Sequence, residues 1–388
     1  MFTLIKNAEI YAPEALGKKD LLICGEIVAW IGNDFPAENT MPDLKIIDAE
    51  GMYLTPGIVD GHVHITGGGG EGGPATRTPE LALSEMIRGG VTTVIGLRGT
   101  DDVTRSMGAL IAKANGLIAE GVSAWVMTGS YQLPIKTVCS GIRDDITLID
   151  RVIGVGEVAI SDHRSSQPTF EEFIQVAAAA RVGGMFAGIG GQVNVHLGDG
   201  KDGIGYLFRA AETEIPISQF VPTHMNRNPE LFEEARRYGK MGGYVDFTTS
   251  TTPQFIAEGE VPCSRALKIM LQDGVPASRI SFSSDGQGSM PLFDEDGSYK
   301  GLTIGRVASN IEAFRDCVLQ ENISMEEALR VISTTTAEHH RLPRKGRVKE
   351  AFDADLLLLD KNLELKYVFA RGRVMMDNGE VAVKGTFE

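Results

Sequence analysis

Hydrophobic and polar positions alternate with two different periods along this chain, and the change of period divides it into three zones. From residue 1 to about 55, short runs of period two are broken by turn residues: Phe2 to Ile5, Asp20 to Cys24, Ile27 to Ile31 and Lys45 to Asp48. Alternate residues of a strand share a face, so these runs predict short strands. From about Gly346 the same character returns, in Ala354 to Leu359, Val368 to Arg371 and Gly372 to Met376. Neither stretch is a comfortable domain alone. Together, residues 1–55 and 346–388 predict one small β-sandwich with the middle of the chain inserted into it.

Residues 56–345 alternate strand and helix signals. The predicted strands are Gly57 to His64, Thr92 to Leu97, Ser123 to Thr128, Gly156 to Ile160, Val193 to Leu197, Gln219 to His224, Tyr244 to Thr249 and Ile280 to Ser284. Helical periodicity lies between most of them, as in Pro79 to Arg88, Asp101 to Ala119, Thr169 to Ala180 and Pro229 to Tyr238. Eight such units predict an α/β fold with a parallel sheet and, at this count, a closed (β/α)8 barrel. An open doubly wound sheet is the rival.

The bulk composition narrows the partners more than the chemistry. A chain of 388 residues exceeds the usual single-domain size, and 46 glycines suit a globular α/β protein with many tight loops. The net charge of −15 argues against nucleic acid or an anionic membrane as a partner. It leaves room for an anionic small substrate, which a local arginine cluster can hold. Cys24, Cys139, Cys263 and Cys317 are scattered without a Cys-x-x-Cys pair, a pattern of reduced thiols. The segment Met1 to Asn7 lacks the apolar core of a signal peptide, and no run reaches membrane-spanning length, so a cytoplasmic protein is expected.

Candidate chemistry begins at Asp60-Gly61-His62-Val63-His64, where alternation puts Asp60, His62 and His64 on one face. Two imidazoles on a strand that runs into a glycine-rich loop make half of a divalent metal site. A hydrogen-bonded histidine pair at a strand end is the structural alternative. Of only seven histidines, two more, His196 and His224, stand singly at predicted strand ends, and Asp285 ends another β-like run. These residues follow strands one, five, six and eight, and only barrel closure gathers those ends at one mouth.

That arrangement resembles the amidohydrolase superfamily over essentially the whole chain, including the flanking segment Phe352 to Leu358. Within it, the chain is most similar to isoaspartyl (β-aspartyl) dipeptidases. The similarity runs through Thr66 to Gly73, Gly96 to Thr100, Ser161 to Ser165, Thr223 to Asn228 and Ser283 to Ser289. The resemblance implies two divalent ions, expected to be Zn2+, with His62, His64 and Asp285 on one and His196 and His224 on the other. In the family a carboxylated lysine usually bridges the metals, but Thr137 to Gly200 contains no lysine, and Glu157 aligns in its place. A carboxylate can bridge as a carbamate does, provided its backbone comes closer. Gly156, lacking a Cβ, permits that approach.

The resemblance further implies a water between the metals, activated toward hydroxide, that attacks an amide carbonyl. Asp285 would move its proton to the leaving amine, and Tyr131 would stabilise the oxyanion. An isoaspartyl dipeptide carries one ammonium and two carboxylates, and the loops offer Glu71, Arg164 and Arg227 to match them. Thr100 and Ser289 match further residues of the family pocket. His163 is expected in outer hydrogen bonding or packing, His339 and His340 in a structural role, and Gly67 to Gly73 as a flexible substrate-contacting loop without the lysine of a phosphate loop. The expected activity is metal-dependent hydrolysis of β-aspartyl dipeptides by a homo-oligomer, an octamer by resemblance. The alternatives are another amidohydrolase reaction (a cyclic amidase or N-acyl deacylase) and a non-catalytic scaffold; loss of ligands, the mark of such scaffolds, is not seen here.

Overall fold

The computed structural model describes residues 2–35, 41–293 and 299–388. Eight parallel strands run through its middle: β1 (Ile58–Val63), β2 (Val91–Gly96), β3 (Ser123–Thr128), β4 (Val152–Ile160), β5 (Gln192–Leu197), β6 (Phe220–Thr223), β7 (Val245–Thr248) and β8 (Ile280–Ser283). Nearly every residue in them is buried, as expected of strands covered on both faces. Helices such as Met107–Glu120, Phe170–Ala187 and Pro229–Lys240 follow the strands. Thr169 and Asn228 cap two of these by accepting the backbone N–H of Glu172 and Leu231.

The expected closed barrel is realised as a curled sheet of six consecutive strands, β1 to β6, beside a parallel pair, β7 and β8. The ladder stops at two seams because polar side chains take the place of backbone there. At the β6–β7 seam, the Asn226 amide donates to the Thr248 carbonyl (3.1 Å) and accepts from the Thr248 N–H (2.9 Å). At the β8–β1 seam, the Asp60 carboxylate accepts the Ser284 N–H at 3.1 Å. Isolated backbone bonds cross both seams: Met225 N–H to the Asp246 carbonyl (3.3 Å), Asp285 N–H to that of His62 (3.1 Å) and His64 N–H to that of Gly286 (2.9 Å). Asp60 therefore binds the two seam strands together rather than joining the histidines, and its burial raises its pKa to about 7.

The termini build one nine-stranded mixed sheet. Strand Phe2–Tyr11 pairs antiparallel with Ala15–Cys24 and parallel with both Leu44–Asp48 and Tyr53–Pro56; the last of these pairs with Leu356–Leu359 near the other end of the chain. Tyr53–Pro56 is a strand beyond those the sequence pattern predicts, and it carries the chain directly into β1. The sheet curls back on itself: Val28 N–H donates to the Phe352 carbonyl and Ala354 N–H to that of Glu26. Its inner face buries Ile5, Ile10, Leu21, Leu54, Leu356 and Phe369, while Leu357, Leu359 and Met375 join the large core beneath the strand–helix layer.

Candidate active site

All of the candidate ligands meet at the C-terminal ends of the parallel strands. His62 Nε2 lies 3.3 Å from Glu157 Oε2, and His64 Nε2 lies 3.4 Å from Glu157 Oε1. On the other side, His196 Nδ1 is 3.2 Å and His224 Nε2 is 3.9 Å from Glu157 Oε2. Asp285 Oδ1 stands 3.1 Å from His64 Nε2 and 3.7 Å from His62 Nε2. Two groups of metal-ligating atoms result, His62–His64–Glu157 and Glu157–His196–His224, with Glu157 common to both.

Local backbone geometry explains how so short a side chain reaches the centre. In the β4–β5 ladder Val155 pairs with Val193 and Val158 with Val195, so Gly156 and Glu157 together face the single Asn194. This bulge re-aims Glu157 inward. At Gly156 φ is +154°, and a Cβ would meet the Asn194 Cβ at 2.7 Å and its carbonyl oxygen at 2.9 Å. Gly156→Ala should therefore push β4 off β5, cost about 1–3 kcal/mol of stability and lower bound metal. A variant matching wild type in melting temperature and metal content would refute this role. His224 and Asp285 add strain of their own, with φ of 64° and 52° at the turns leaving β6 and β8.

The donor set fits divalent metal. Both ring nitrogens of His62, His64 Nδ1, Glu157 Oε1 and Asp285 Oδ1 are buried without a hydrogen-bond partner among the described residues. Leaving so many polar atoms unpaired is costly unless something they coordinate satisfies them. Burial alone would raise the carboxyl of Glu157, but His62 and His196 outweigh it and hold it well below the usual range. Burial likewise pulls His62 down, yet Glu157 and Asp285 lift it to about 9. His224 is pushed far down by burial and by His196 beside it.

A cavity of about 320 Å³ opens above this cluster. Every expected substrate residue lines it: Glu71, Thr100, Tyr131, Arg164, Arg227 and Ser289. The Thr100 hydroxyl donates to Glu71 at 2.6 Å. Arg227 pairs with the buried Glu260 (3.2 Å) and stacks over Phe255, its guanidinium carbon 5.0 Å from the ring centroid. Burial drives the Tyr131 phenol far above its ordinary pKa, so the hydroxyl, 2.7 Å from His196 Nδ1, stays protonated.

Several residues differ from expectation. His163 is exposed; the outer partner of the cluster is its neighbour Asp162, 3.0 Å from His196 Nε2. The glycine loop is tied down rather than loose, because Arg105 donates to the carbonyls of Thr66, Gly68 and Gly69. Glu260, Phe255 and Arg105 carry no signal in the sequence, since each acts through a contact between segments far apart in the chain. His339 is half-buried and stacks on Tyr244 with ring centroids 3.7 Å apart, as a packing residue would.

Imidazoles and a shared carboxylate at the C-terminal mouth of a parallel α/β sheet define a metal-dependent hydrolase. Comparison with known proteins agrees: the amidohydrolase family profile matches residues 53–375. The β-aspartyl dipeptidase of Fervidobacterium islandicum AW-1, solved in complex with the β-Asp-Leu dipeptide, superimposes with a TM-score of 0.89 at 43% identity, over 98% of each chain. The chain belongs to the amidohydrolase family, and within it to the β-aspartyl dipeptidases. A dihydropyrimidinase from Brevibacillus agri shares the fold (TM-score 0.68, 18% identity, 99% of this chain and 97% of that one). A curated dihydroorotase from Lactobacillus gasseri is 43% identical over 94 residues, 24% of this chain, and the chain spans only about 20% of that relative's length.

Proposed function

We propose that this protein hydrolyses β-aspartyl dipeptides at a two-metal centre. The observation that carries the reading is the charge array in the cavity, with Glu71 for an ammonium and Arg164 and Arg227 for carboxylates, facing the histidine–carboxylate cluster. It is supported by 43% identity across 98% of both chains with a dipeptidase solved with β-Asp-Leu.

Two divalent ions, for which we favour zinc, would be held by His62, His64 and Asp285 on one side and His196 and His224 on the other, with Glu157 shared. When bound, they supply a water acidified toward neutrality and a polarised carbonyl. The remaining chemistry belongs to the side chains. Asp285, at the cavity floor, accepts the proton that the attacking water loses and delivers it to the leaving nitrogen. Tyr131, kept protonated, donates to the oxygen on which negative charge develops. Glu71, fixed by Thr100, takes the substrate ammonium, and the two guanidinium forks with Ser289 take the carboxylates.

We further read the eight strands as a closed barrel, residues 56–345 as the catalytic unit and residues 1–55 with 346–388 as its companion β-sandwich. A homo-octamer and a cytoplasmic location complete the proposal, the latter supported by four cysteines that remain separate thiols. Among the described residues no helix is long and apolar enough to cross a membrane. Purified protein assayed on β-Asp-Leu, α-Asp-Leu and dihydroorotate, with metal analysis, tests the activity. We expect cleavage of the first alone; turnover of dihydroorotate with β-Asp-Leu untouched would transfer the protein to the cyclic amidases.

A further inference from the structure

We propose that Asp162 is a positioning residue that couples metal binding to substrate binding, because one carboxylate holds both His196 and Arg164. The Arg164 half rests on the dipeptidase reading; the His196 half does not. Asp162 lies on the loop after β4, with its side chain only 3% exposed. Its Oδ2 accepts from Arg164 Nη2 at 2.7 Å and from His196 Nε2 at 3.0 Å. Its Oδ1 accepts from the Arg164 backbone N–H at 2.7 Å and from Nε at 3.0 Å.

Each bond has a consequence for its partner. An imidazole that donates from Nε2 keeps its lone pair on Nδ1. In His196 that atom faces the Tyr131 hydroxyl (2.7 Å), Glu157 Oε2 (3.2 Å) and His224 Nε2 (3.1 Å), and a metal would sit among these groups. Asp162 therefore selects the ligating tautomer. Arg164, held through Nε and Nη2, is left with its Nη1 edge for the cavity, 3.7 Å from Glu71 Oε1. His224 is oriented differently, through Nδ1 and the Thr248 hydroxyl at 2.7 Å. Asp162 is held by all four of these bonds, and the β5 loop packs closely behind it: at Gly198 a Cβ would come within 2.7 Å of the Asp162 Cβ, so only glycine admits this approach. A metal that fixes His196 thus fixes Asp162 and with it Arg164, and by linkage a carboxylate bound at Arg164 steadies His196.

Asp162→Asn tests the coupling. Zinc affinity, measured on apo-protein by chelator competition without substrate, should fall roughly 10- to 100-fold. At saturating zinc, KM for β-Asp-Leu should rise about tenfold, and Arg164→Met should raise it too. The double variant should show no more than the Arg164→Met effect, because Asp162 acts on KM only through Arg164. If the asparagine variant does not fold, Asp162→Ser carries the same measurements. Unchanged zinc affinity, unchanged KM at saturating zinc, or additive KM effects in the double variant would each overturn the coupling. A wild-type protein inert on β-Asp-Leu would instead remove the dipeptidase reading, and the zinc titration would still decide the His196 half.

Discussion

Glu157→Ala is expected to lower kcat/KM on β-Asp-Leu by at least about a thousandfold and to yield protein with fewer metal ions than wild type. Glu157 is the one group shared by both sets of candidate ligands, with four imidazoles within 3.9 Å of its oxygens. Removing it leaves two cations side by side without their common counter-charge, in a buried site where such repulsion is poorly screened. A divalent centre contributes several kcal/mol to a hydrolysis, and each ~1.4 kcal/mol is tenfold in rate, which sets that floor. Glu157→Lys is the sharper experiment, since it installs the residue usual in the dipeptidase family. The Gly156–Glu157 bulge brings the β4 backbone inward for a short side chain. A longer, carboxylated lysine starting from the same point overshoots the centre, so lysine should not rescue the alanine variant. Full activity and metal content in Glu157→Lys would refute the view that bulge and glutamate work as a unit.

What could be read in advance divides by range. All eight parallel strands were legible because burial on both faces leaves long apolar runs ending in polar residues, and those ends carry His64, His196, His224 and Asp285. Glu157 was legible only by resemblance, because a lone glutamate in an apolar strand has no periodic signature; the bulge that aims it depends on Asn194 in the next strand. The seams were illegible for a related reason. Asp60 reads as a companion of His62 and His64 on one strand face, and Asn226 only as part of the Thr223 to Asn228 segment, until the fold places the Ser284 and Thr248 backbone groups opposite them. Asp162 stood in the sequence beside His163, which drew attention for its residue type although it faces solvent. The hairpin of Ser289–Phe293 with Tyr299–Ile304 has no counterpart among the predicted strands; its first strand begins with a residue of the substrate cavity and contains Pro291, which weakens a strand signal.

The other large effect concerns which peptide linkage is cut. In a β-linked substrate the scissile carbonyl lies one methylene away from the carbon bearing the amino and carboxylate groups. A pocket that grips both groups sets how far that carbonyl reaches toward the cluster. Here the grip is rigid on three sides: Glu71 is held by Thr100 at 2.6 Å, Arg164 by Asp162 at 2.7 Å, and Arg227 by Glu260 at 3.2 Å. An α-linked dipeptide carries its free aspartyl carboxylate one methylene farther from the carbon bearing the ammonium, so the guanidinium placed for the α-carboxylate loses its partner at that position. Losing a charge-assisted hydrogen bond in a desolvated site costs about 1.5–3 kcal/mol, roughly ten- to a hundredfold in kcat/KM. Displacement of the carbonyl from its point of attack widens the gap. Arg164→Met and Arg227→Met should each lower β-Asp-Leu cleavage by at least that factor. Arg227→Met should leave metal content at the wild-type level, because Arg227 is bonded to Glu260 and not to a candidate ligand. Selectivity should collapse in parallel, since α-Asp-Leu has less to lose from a missing fork. Equal wild-type rates on the two linkages would mean that Glu71 and the arginines do not measure the distance to the carbonyl, and the pocket would have to be reassigned.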